Sequence, residues 1–107
     1  TGIHPNPLRN TQMPTYLIGQ ITVTNPTLWQ EYVTGVAESI APFDASIVFR
    51  GKRSQVLAGE NERELVVVIE FADRATLDGW FHSEKYQSLI ALRDRAADVV
   101  ITTYDSY

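Results

Sequence analysis

Two residues, Arg50 and Glu70, stand out as charges placed inside apolar runs, Ser46-Ile47-Val48-Phe49-Arg50 and Leu65-Val66-Val67-Val68-Ile69-Glu70-Phe71. Around them the chain supplies aromatic and titratable partners: Trp29 and Tyr32, then Trp80, His82 and Tyr86, and finally Arg93. An arginine and a carboxylate on a sheet, roofed by aromatics, would line a cleft between sheet and helices. Such a cleft suits a small planar or anionic molecule, with Arg50 fixing its charge, Glu70 or His82 moving a proton, and Trp80, Tyr86, Arg93 and Tyr32 completing the wall. Each residue also has a structural role to offer. Arg50 and Glu70 can pair across neighbouring strands. Trp80 and Phe81 can be core. His82 can cap a helix, Tyr32 and Tyr86 can anchor an interface, and Arg93 can be a helix C-terminal cation.

Several chemistries are excluded. The 107 residues contain no cysteine, which removes disulfides, thiolate catalysis and zinc–sulfur sites. The two histidines, His4 and His82, form no ligand pair, so no metal is expected. No glycine-rich nucleotide loop and no nucleophile elbow occurs, and no cofactor is expected. A net charge of −4 opposes nucleic acid and anionic membranes as partners. No apolar run approaches the roughly 20 residues of a membrane span. With no secretory h-region in view, the expected compartment is the cytoplasm.

The elements that must position these residues follow from periodicity. Residues 1–12 are Pro- and Asn-rich and aperiodic; they read as a tail or cloning extension, with Met13 as a natural start and 13–107 as the domain. Residues 15–23 alternate as a strand. Asn25 is an N-cap and Pro26 a first helical residue, followed by Leu28, Trp29, Tyr32, Val33, Val36, Ala37 and Ile40 at helical spacing up to Pro42. A strand over 46–50, a turn at Gly51-Lys52-Arg53 and a short return strand over 54–58 come next. Residues 65–71 form a strand apolar on both faces except for Glu70, which predicts cover on both sides: helices on one, a second copy of the sheet on the other. Asp73 and Ser83 are N-caps of two helical pieces that break near His82-Ser83, and 99–104 closes as a strand. The order β-α-β-β-α-β predicts an α+β, ferredoxin-like antiparallel sheet with helices on one face.

Val66-Val67-Val68-Ile69-Glu70-Phe71, Trp80-Phe81-His82-Ser83-Glu84-Lys85-Tyr86-Gln87 and Leu92-Arg93, preceded by Asn25-Pro26, Phe49-Arg50-Gly51 and Leu57-Ala58-Gly59-Glu60, resemble the domain-of-unknown-function 1330 family from about Met13 to Tyr104. The chain departs from that pattern at Asp44-Ala45-Ser46, Phe81 and His82. The resemblance implies a dimeric α+β barrel in which two sheets face each other as a homodimer. It carries Arg50, Glu70, Trp80, Ser83, Tyr86, Gln87 and Arg93 as recurring positions, and implies no reaction. Two functions are compatible: a cofactor-free enzyme, monooxygenase- or isomerase-like, or a non-catalytic dimeric module that binds a small ligand.

Overall fold

The structure is a computed structural model that describes residues 13–107; the tail assigned to 1–12 and His4 lie outside the described residues. Strand β1 (Thr15–Val23) leads into helix α1 (Pro26–Ile40), strand β2 (Ala45–Lys52) and strand β3 (Leu65–Phe71). Helices α2 (Arg74–Phe81), α3 (Glu84–Gln87) and α4 (Ile90–Ala96) then precede strand β4 (Ala97–Asp105). The sheet order is β2-β3-β1-β4 and every neighbouring pair is antiparallel. This is the ferredoxin-like arrangement, with the helices on one sheet face.

The helix starts follow the capping chemistry in the sequence. The Asn25 side chain accepts from the Leu28 amide at 3.1 Å. Asp73 accepts from the Thr76 amide at 2.8 Å and from its hydroxyl at 2.7 Å. Ser83 accepts from the Tyr86 amide at 3.2 Å. The three amide bonds satisfy donors that the first turn cannot. The break at His82-Ser83 is present, and a second break at Ser88-Leu89 separates α3 from α4.

Alternation in β1 sends Leu17, Gly19 and Ile21 to the helix side, and Tyr16, Ile18, Gln20 and Thr22 to the other. Leu17, Tyr32, Ile69, Phe71, Leu77, Trp80 and Tyr86 make the buried core. Trp80 is its hub, with ring centroids 4.5 Å from Tyr86 and 5.5 Å from Phe71. Burying side chains of this size stabilises the fold by about 1.5–3 kcal/mol each.

Two expectations need correction in the β2 region. No strand forms over 54–58, because β2 does not turn at Gly51: Gly51 pairs with Val66, Lys52 with Leu65, and the Arg53 amide donates to the Glu64 carbonyl at 2.6 Å. The chain therefore returns through a loop, not a hairpin strand. Nor do Arg50 and Glu70 pair. Ser46 stands opposite Glu70, and Arg50 opposite Val67. The register shifts between Ile47 and Phe49, leaving Val48 as an extra residue. One inserted residue exchanges the faces of everything beyond it. Ile47, Arg50 and Lys52 thus face the helices, while Phe49 joins Val68 and Glu70 on the open face.

Candidate cleft between the first helix and the sheet

Helix α1 does not lie flush on the sheet. Between them is a cavity of about 550 Å³ with mostly apolar walls. The sheet contributes Leu17, Ile21, Val67 and Ile69, and α1 contributes Trp29, Tyr32, Val33 and Val36. Gly19 lies in the floor, where an added Cβ would stand 3.1 Å from a Val67 methyl, so its bare backbone leaves depth. At the rim, Arg50 and Lys52 project from alternate positions of β2, with Gln30 on α1. Both cations are exposed. Among the described residues neither has an ion-pair partner.

Trp80 closes part of the wall and is locked there. Its indole N–H donates to the Ser39 hydroxyl at 2.9 Å, and that hydroxyl donates to the Val36 carbonyl at 2.8 Å. Beside it runs a polar chain. Tyr32 and Tyr86 hydroxyl oxygens are 2.8 Å apart, and an Arg93 Nη donates to the Tyr86 oxygen at 3.1 Å. Burial, reinforced by Tyr86, pushes the Tyr32 hydroxyl far above the ordinary phenol range. Tyr32 is therefore a neutral donor or acceptor, and not a base. Burial works against the Arg93 charge, but its bonds to Tyr86 and Asp94 outweigh that and raise its pKa.

The residues singled out in the sequence do not all converge on one place. Arg50, Tyr32 and Trp80 line the cleft. Tyr86 is fully buried behind Tyr32, and Arg93 borders a smaller cavity of about 390 Å³ between α2 and β4. Glu70 lies on the opposite sheet face, where the Tyr16 hydroxyl donates to it at 2.6 Å. His82 is exposed at the end of α2, its Nδ1 3.0 Å from the Asp78 carbonyl. The proton-moving partnership expected of Arg50 with Glu70 or His82 is not assembled, because the bulge puts Arg50 and Glu70 on different faces. Lys52 and Ser39 were not anticipated. Lys52 was assigned to a turn, but a polar Ser39 inside the apolar stripe from Val36 to Ile40 was a readable signal. Among the described residues no cluster of carboxylates and histidines could hold a metal ion, and no helix is long and apolar enough to cross a membrane.

The chain matches the family described as Domain of unknown function (DUF1330) over residues 14–106. No curated protein matches it in sequence. Among solved structures, a protein of unknown function from Rhodopseudomonas palustris superposes with a TM-score of 0.77 at 12% identity, covering 98% of this chain and 96% of its own. SnoaB, a cofactor-independent oxygenase from Streptomyces nogalater, gives 0.65 at 8% identity, covering 89% and 94%. A dimeric ferredoxin-like protein of unknown function from Thermobifida fusca gives 0.60 at 10% identity, covering 89% and 92%. At these identities the likeness is one of fold.

Proposed function

The chain belongs to the DUF1330 family, and from that premise we propose that it is a dimeric small-molecule binding protein whose cleft takes an anion with an apolar, planar body. The observation that carries this reading is the pairing of an apolar cavity with two cations, Arg50 and Lys52, that have no carboxylate partner among the described residues. Apolar walls reward a hydrophobic body, and rim cations fix its charged end. The catalytic alternative is a cofactor-free enzyme, monooxygenase- or isomerase-like, acting on the same class of molecule. The fold shared with a cofactor-independent oxygenase favours it. Against it, Glu70 and His82, the groups expected to move a proton, lie outside the cleft wall.

In this reading the second copy covers the open sheet face. Phe49 and Tyr104 there are 56% and 53% exposed, with Ile18, Val66 and Val68 beside them. A face this apolar on an antiparallel sheet favours a partner of the same kind, and the Thermobifida protein is described as dimeric.

Fluorescence titration with naphthoate tests the cleft. Binding is expected at one site per chain. Arg50→Gln with Lys52→Gln should weaken it about 2- to 30-fold, since each rim ion pair contributes about 0.2–1 kcal/mol. Val33→Trp, which fills the cavity, should abolish it. Binding indifferent to all three changes would remove the cleft as the site. Turnover of bound naphthols under air would move the assignment to the enzyme.

A further inference from the structure

We propose that the Tyr32 hydroxyl donates a hydrogen bond to an acceptor oxygen of the molecule held in the cleft, which makes it a specificity-determining residue; this rests on the ligand reading above. Arg93 can only donate, and its Nη gives to the Tyr86 oxygen at 3.1 Å. The Tyr86 and Tyr32 oxygens lie 2.8 Å apart, a separation that holds one proton between them. Two phenols bring two protons, so one hydroxyl proton is left without a protein acceptor among the described residues.

Its place can be decided. If Tyr32 gave its proton to Tyr86, the Tyr86 oxygen would accept twice and its own proton would be stranded. Tyr86 has no exposed surface and does not line the cleft. A buried hydroxyl proton with no acceptor forfeits its whole desolvation cost. If instead Tyr86 gives its proton to Tyr32, Tyr86 is satisfied on both sides. The spare proton then belongs to Tyr32, which does line the cleft. The arginine at the head of the chain polarises both hydroxyls in the same sense, strengthening Tyr32 as a donor. Burial keeps that phenol neutral, so the proton stays in place.

The ligand this selects carries a carbonyl, carboxylate or phenolate oxygen in addition to the anionic end at the rim. An apolar group or a second donor at that position leaves the hydroxyl unmatched.

Probes for the test are acetyl-naphthoates substituted around the far ring, each paired with its isopropyl counterpart of nearly equal shape. Wild-type protein should prefer at least one acetyl probe by about tenfold. Tyr32→Phe should erase that preference, by weakening the acetyl probe, tightening the isopropyl one, or both; a purely structural role for Tyr32 would shift the two members of a pair alike and leave the preference standing. As a readout needing no variant, the probe's acetyl C=O stretch should move to lower wavenumber on binding to wild type. Equal binding of every pair, or a preference that survives Tyr32→Phe, overturns the assignment while the cleft stands. Failure of every probe to bind removes the ligand reading and this inference with it.

Discussion

Changing Tyr86 to Phe removes one oxygen from a site with no exposed surface and leaves ring packing intact. Two hydrogen bonds go with it: the one shared with Tyr32 at 2.8 Å and the one accepted from Arg93 at 3.1 Å. A neutral bond of this kind contributes about 0.5–1.5 kcal/mol and a bond from a charged donor about 1.5–3 kcal/mol. The loss is cushioned, because Arg93 keeps Asp94 at 3.1 Å and its side chain is 18% exposed, so water can replace part of what is removed. The expected cost is about 2–3 kcal/mol. For a domain of this size that lowers Tm by roughly 10–20 °C. Urea denaturation followed by tryptophan fluorescence measures it directly. A cycle with Arg93→Met separates the pair term, which should be at least about 1 kcal/mol because the two groups touch. A cost below about 0.5 kcal/mol for Tyr86→Phe would refute the reasoning: the chain would then gain no more than the solvation it gives up.

Three further outcomes are expected. The Asp73 carboxyl, bonded to Thr76, and the Asp105 carboxyl, bonded to Arg74, both sit below the usual carboxylate range. Their contribution is complete above the unfolded value near pH ~4 and drains away as pH falls through the folded values. Acid denaturation of the Asp73→Asn, Asp105→Asn double variant should therefore have a shallower limb below that pH. Gly35→Ala places a methyl 2.6 Å from a Leu89 Cδ, where α1 meets the α3–α4 junction. Calorimetry should find the variant less stable by about 1 kcal/mol despite alanine's better helix propensity, and Leu89→Ala should relieve it. Phe49→Glu puts a charge on the open sheet face and should convert the proposed dimer to monomer by sedimentation at micromolar concentration; a variant that keeps a dimer's mass would place the contact elsewhere.

Most of the fold was legible because its signals are local. Alternation set β1 and a continuous apolar run set β3 to the residue, and Asn25, Asp73 and Ser83 announced three helix starts through side chains that reach amides three positions on. The cleft was half legible. Tyr32 and Trp80 follow from helical spacing, but the partnership of Arg50 with Glu70 did not survive, for a reason no local pattern carries. Val48 looks like any strand residue, with no glycine or proline to mark it, yet as the extra residue it reverses the facing of Phe49, Arg50 and Lys52. Bulges arise from pairing with a partner strand, here β3, and are invisible in a single run. The Tyr32–Tyr86–Arg93 chain was hidden for a similar reason. Its first two members are 54 residues apart and meet only once α1 and α3 pack on the sheet.

Strand β2 is bordered by β3 on one side only, so its other edge offers free backbone donors and acceptors. It also carries three consecutive apolar residues, Ile47, Val48 and Phe49, that are 42%, 50% and 56% exposed. Such an edge invites a strand from another molecule to add on and continue the sheet. The extra residue at Val48 interrupts the even ladder that an incoming strand would need, and Arg50, Lys52 and Arg53 follow at once as repelling charges. The same kink that turns Arg50 toward the cleft thus guards the molecule against open-ended aggregation, and removing it to enlarge or reshape the cleft would risk a protein that no longer stays in solution.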